Sequence, residues 1–319
     1  MEKRAFSKIS FGIFFVGVLW CGASLLMNIF SEGIRKLIEK AGAPGQIIGL
    51  FVNLFMYGAS ILILSLFLKG LPTLEGEPKH RLGFRAFLGY FCSMRGVATM
   101  LSIVGFLVSL IVILLVRGPE NLAELLFKSN PLPFDDSSSV AVELILICVA
   151  APLLEELMFR RLLMDALRPF GDVVAILYSG IAFGLLHMNF QQLFYAAGVG
   201  LIFGYVMVKT NNIWYCIGLH AALNTTSAII LPFMDGVDLN NPDLQSASFI
   251  AVGFFVGVLL VISVTGIVLF FANIKKIRVE GPRFRFSVPV GGKQALINAG
   301  TIPYILICIA ISVYRITIL

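Results

Sequence analysis

Long apolar runs separated by short polar gaps pattern this chain from end to end. They occupy roughly residues 10–30, 47–68, 97–116, 140–166, 172–189, 192–208, 213–231, 248–272 and 297–315. Most approach the about 20 residues that an α-helix needs to cross hydrocarbon at about 1.5 Å per residue. The pattern predicts an all-α polytopic membrane protein of about eight to nine transmembrane helices. Arg81 to Arg95 mixes aromatic residues with spaced arginines, which predicts an interfacial helix feeding the third span. Turns are expected near Pro169-Phe170-Gly171 and Asn211-Asn212. Only Met188 to Gln192 separates the fifth and sixth runs, so that turn is expected inside the bilayer, where it must be buried in protein or line a wet cavity. Gly200 and Gly204 fit close helix approach and also the ordinary abundance of glycine in membrane helices.

Composition sharpens this picture. Of 319 residues 58% are hydrophobic and 13% charged, with a mean hydropathy of +0.94; soluble domains carry about 25% charge. The net charge of +6 sits in juxtamembrane clusters, so it indicates topology and a lipid bilayer as partner, with no nucleic acid. Five cysteines without a C-x-x-C pair argue against a disulfide framework and against a cysteine zinc site. The apolar run after Lys8 is too long for a cleavable signal peptide and is expected to remain as a first span. Lys and Arg flank alternate loops, whereas the loop carrying Asp235, Asp238 and Asp243 has none. The N-terminus is therefore expected in the cytoplasm, with Arg35, Lys36 and Lys40 the dissenting cluster. Glu143 is expected near the outer interface in a structural role, and His80 in a solvated basic loop.

Ionisable residues in membrane-grade helices mark functional sites. Here they are Glu155 and Glu156 in the fourth run, His187 in the fifth, and His220 with Asn224 in the seventh. Glu156 and Arg160 stand four apart, as do Phe183 and His187, and His220 and Asn224; each pair shares a helix face. Arg160 can neutralise Glu156, leaving Glu155 for other work. If the two hairpins turn where expected, Glu155 and His187 lie about 14 and 17 residues above one turn, and His220 about 9 above the other, so all can share one cavity. A desolvated carboxylate makes a usable base for water. A histidine can orient that water or hold a metal, and an Asn or His donor can stabilise an oxyanion, typically by about 3–4 kcal/mol. Glu155, His187 and His220 also form a workable Zn2+ set with an open fourth position. The residues leave both mechanisms open.

These residues resemble a known family. Glu155-Glu156-Leu-Met-Phe-Arg160, Phe183-Gly-Leu-Leu-His187 and His220-Ala-Ala-Leu-Asn224 are similar to the E-E-x-x-x-R, F-x-x-x-H and H-x-x-x-N/D motifs of the CPBP family, the CAAX-type and bacteriocin-processing proteases also called Abi. The resemblance covers about residues 140–231. It divides the chain into N-terminal spans with the interfacial helix (1–139), a catalytic core (140–231), and C-terminal spans with a basic cytoplasmic segment (232–319). It implies an intramembrane endopeptidase, in a prokaryotic cell membrane, acting on a peptide or membrane-protein substrate. Glu155 would activate water with His187, and His220 and Asn224 would stabilise the oxyanion. Glu156, Arg160 and Phe183 would support them. The family has been described both as zinc-dependent and as glutamate-dependent without metal, and the neighbouring Asn and second His favour the latter. The ninth span and the basic segment Lys275 to Lys293 exceed a minimal core of about eight helices. Two other classes compete. A non-catalytic immunity or scaffold protein of the same fold would not need the complete polar set. A transporter with a Glu/His relay would be favoured by inverted repeats, and none stands out.

Overall fold

A backbone in hydrocarbon must satisfy its own N–H and C=O groups, and apolar runs do so as helices. In the computed structural model, described for residues 2–41, 45–71, 79–119, 141–142, 144–230, 233, 237, 243–279 and 297–318, the regular elements are helical. Helix α1 (Glu2–Ala41) is followed by α2 (Gly45–Leu68) and α3 (Phe84–Arg117). Helix α4 runs over residues 146–170 with changing winding. Then come α5 (Asp172–Leu186), α6 (Phe190–Thr210), α7 (Ile213–Ala228), α8 (Ala247–Asn273) and α9 (Thr301–Ile318). Glu143, Asp235, Asp238, Arg283, Arg285 and Lys293 lie outside the described residues.

By length and composition, five helices among the described residues can cross a membrane: α1, α2, α3, α6 and α8. Helices α5 and α9 are apolar but shorter. Together they form the bundle of a polytopic integral membrane protein. Helix α3 corrects one expectation. Arg81–Arg95 is no separate interfacial helix, because α3 runs unbroken from Phe84 to Arg117. Its Arg95 is half-buried and donates from Nη1 to Ser227 Oγ on α7 at 2.7 Å.

Turn chemistry sets the hairpins. Gly171, at φ 130°, ends the 3-10 turn Arg168–Phe170, a conformation that favours glycine. Asn211 is left-handed at φ 46°, and Asn212 caps α7 by accepting from Trp214 N. Between α5 and α6 only residues 187–189 are non-helical; Asn189 caps α6 by accepting from Gln191 N. The two expected turns sit at one level, since Arg168 Nη1 donates to Asn211 Oδ1 at 3.2 Å.

Close approach of backbones holds the bundle together, as expected where lipid provides no hydrophobic drive. On α6, Gly200 lies against Gly180 Cα and Gly204 against Ile176 Cα of α5, so both glycines serve packing. Gly96 of α3 and Gly266 of α8 meet backbone to backbone, Gly266 against the Cys92 carbonyl, and Thr99 and Ser263 share a 2.9 Å hydrogen bond nearby. Overpacking a tight contact costs about 1–3 kcal/mol or more. Gly266→Val is therefore expected to lower the unfolding temperature and the yield of monodisperse protein. Gly253→Val on the same helix, where a Cβ meets nothing within 4 Å, is expected to leave both unchanged.

Candidate active site

Helix α4 lies at the centre, contacting α2, α5, α6 and α7. Its winding is π-helical over Leu146–Ala150, α-helical over Ala151–Glu156 and π-helical again over Leu157–Met164. Pro152 lacks an N–H and crowds the carbonyl four residues back, and the first wide turn sits directly before it. Wide turns leave carbonyls free for outside partners, and such bulges recur at functional sites. Both stretches use this. Ile147 O accepts from Asn224 Nδ2 at 2.9 Å, and Phe159 O accepts from Ser179 Oγ at 3.1 Å.

The two adjacent glutamates have different surroundings. Glu156 is fully enclosed; its Oε2 stands 3.1 Å from Arg160 Nε and its Oε1 2.9 Å from His220 Nδ1. Arg160 is equally enclosed. It donates to Gly200 O at 3.0 Å, and its guanidinium lies 4.8 Å from the Phe183 ring centre and 5.0 Å from that of Phe203. Glu155 has a side chain 13% exposed. Its Oε1 accepts from the Tyr57 hydroxyl at 2.5 Å, and its Oε2 is 3.7 Å from His220 Nε2. The expected Glu156–Arg160 pair is present, but Glu155 is not free of partners: a tyrosine from α2 holds it.

His220 is thus set between both carboxylates. Its ring stacks on Phe203 at 5.1 Å and meets the Phe183 edge at 5.7 Å. His187 is the C-cap of α5 rather than a residue within the span. Its Nδ1 lies 2.9 Å from Phe183 O. A carbonyl only accepts, so Nδ1 carries a proton, and in the neutral ring Nε2 is the acceptor. The Phe183 ring lies 5.1 Å from His187, so it packs against both imidazoles. Asn224 does not point at the carboxylates with its bonded N–H; it is tied to the α4 backbone.

The structure thus brings Glu155, Glu156, Arg160, Phe183 and His220 together directly, with His187 joined through Phe183. Glu155, His187 and His220 are not gathered into one ligand cluster. Among the described residues no three His, Cys, Asp or Glu side chains stand close enough to hold a metal; His220 Nδ1 is bonded to Glu156, and its Nε2 faces Glu155. Tyr57 and Tyr195 are absent from the sequence reading. Tyr195 hydrogen-bonds Gln192 and lies within electrostatic reach of Glu155 and Arg95. The signal for Tyr57 was a hydroxyl in an otherwise apolar run, one turn from Asn53.

Comparison with known proteins agrees with this core. Residues 137–226 match the family described as type II CAAX prenyl endopeptidase Rce1-like. The chain is 26% identical over 180 residues to the Bacillus subtilis (strain 168) protein named "Putative membrane peptidase YdiL", a similarity covering 54% of this chain and 68% of that one. No solved structure matches. Through residues 137–226, the chain is thus similar to a family of membrane endopeptidases.

Proposed function

We propose that this protein is an intramembrane endopeptidase in which Glu155 activates the attacking water. One observation carries the reading. Of two adjacent carboxylates, Glu156 is sealed and neutralised, whereas Glu155 is reachable and held by Tyr57 and His220. In this reading Glu155 acts as the carboxylate, and His220 donates from both ring nitrogens. His220 donates through Nδ1 to Glu156, which fixes the ring and directs Nε2 to the reacting centre, as a carboxylate orients a catalytic histidine elsewhere.

In the proposed reaction Glu155 takes a proton from water as the oxygen adds to the scissile carbonyl. His220 Nε2–H then stabilises the oxyanion, helped by the second N–H of Asn224, and His187 Nε2 accepts a hydrogen bond that orients the water. The tetrahedral intermediate collapses with cleavage of the C–N bond, and the proton held at Glu155 passes to the leaving amine. No step runs through a metal. The substrate is a peptide or membrane-associated protein of CAAX or bacteriocin-leader type, reached from a cytoplasmic opening.

The test is cleavage of a peptide library by purified protein, with mass-spectrometric readout, with and without chelator. Wild-type cleavage that survives chelation and disappears in His220→Ala supports the proposal. Cleavage abolished by chelator and restored by Zn2+ contradicts it. Tyr57→Phe is expected to lower kcat roughly tenfold with little change in KM, because a hydrogen bond to a charged group contributes about 1.5–3 kcal/mol. Its ring still packs on Trp20 at 5.1 Å, so the unfolding temperature is expected to hold.

A further inference from the structure

A second cavity, of about 640 Å³, lies between α3, α6 and the C-terminal end of α8. It is separate from the candidate active site. Helix α6 turns Gly200 and Phe203 toward Arg160 and His220, and lines this cavity with Gly198, Leu201, Ile202 and Tyr205. The volume is within the range of ligand sites, about 300–1,000 Å³.

The shape is elongated and its polarity graded. On α3 the lining runs from Ala86 to Leu101, about 22 Å at 1.5 Å per residue. The far end, around Val97, Met100 and Leu101, is purely apolar. The near end carries Tyr90, Tyr205, Asn273 and Lys276. Lys276 is exposed and donates to Asn273 Oδ1 at 3.0 Å, while Lys209 lies 5.8 Å from the Tyr205 ring centre. No carboxylate is among the described residues that line the cavity. An elongated, largely apolar cavity in a membrane protein, with lysines at one end, matches an acyl chain below an anionic headgroup; lysines attract such lipids at the surface.

We propose that this cavity binds one anionic membrane phospholipid, its acyl chain along α3 and its phosphate at Lys276. The site is independent of the peptidase reading.

Gly89 provides the test. A Cβ there meets nothing within 4 Å, and leucine is a better helix former than glycine, so Gly89→Leu fills the channel without straining the fold. Native mass spectrometry of the purified chain in detergent would compare phosphatidylglycerol with phosphatidylcholine of equal chain length. Wild type is expected to retain one phosphatidylglycerol, with glycerol phosphate alone unable to displace it. Gly89→Leu is expected to lose most of that retention at an unchanged unfolding temperature. Lys276→Glu is expected to cut the preference for the anionic lipid roughly fivefold or more. Equal retention of both lipids by wild type overturns the proposal. So does undiminished phosphatidylglycerol in either variant; Lys276→Glu decides alone should Gly89→Leu misfold.

Discussion

Glu155→Gln is expected to lower kcat for peptide cleavage by about 100- to 10,000-fold, the contribution of a positioned general base. The substitution keeps shape and the hydrogen bond from Tyr57 to Oε1, while removing the basic oxygen that faces His220. Because Glu155 takes no part in the sealed Arg160 pair, the unfolding temperature and the yield of inserted protein are expected to stay near wild type. KM is expected to change little, since the lost interaction belongs to the transition state. Steady-state kinetics and thermal unfolding of the same preparation check both halves.

Arg160→Met is expected to act on stability instead. Arg160 and Glu156 are fully enclosed, and removing one member leaves a buried charge without compensation, at a cost of about 3–5 kcal/mol. The hydrogen bond to Gly200 O and the contacts with Phe183 and Phe203 go with it. The expected result is little folded protein. Adding Glu156→Gln removes the orphaned charge, so the double variant is expected to recover part of the folded yield. A double variant no more stable than Arg160→Met would show that lost packing, not charge, dominates.

The apolar periodicity and the turn residues made most of the fold legible. Pro169-Phe170-Gly171 and Asn211-Asn212 mark the hairpins correctly, and the Arg168–Asn211 bond confirms that they share a level. That common level made it reasonable to set Glu155 near His220, residues far apart in sequence. Other features depend on tertiary contacts that no local pattern announces. Tyr57 reaches Glu155 from a helix 98 residues earlier. The wide turns of α4 follow from Pro152 and from partners on α5 and α7, and they redirect Asn224 to a backbone carbonyl. Arg95 reads as interfacial by its arginine-rich neighbourhood, yet α3 continues through it and its guanidinium bonds Ser227 on α7. Spacing placed His220 near Glu155 but did not reveal that Glu156 holds the other side of the ring.

The central claim assigns water activation to one of two neighbouring glutamates. The most direct measurement is the cleavage rate per folded molecule for Glu155→Gln and Glu156→Gln, side by side on one peptide in proteoliposomes. The account predicts near-complete loss for Glu155→Gln in well-folded protein. For Glu156→Gln it predicts lower folded yield and, in what folds, a smaller loss of about 10- to 100-fold, because Glu156 orients the His220 ring without taking the proton. Wild-type turnover by Glu155→Gln, or the opposite assignment of the two effects, would contradict it.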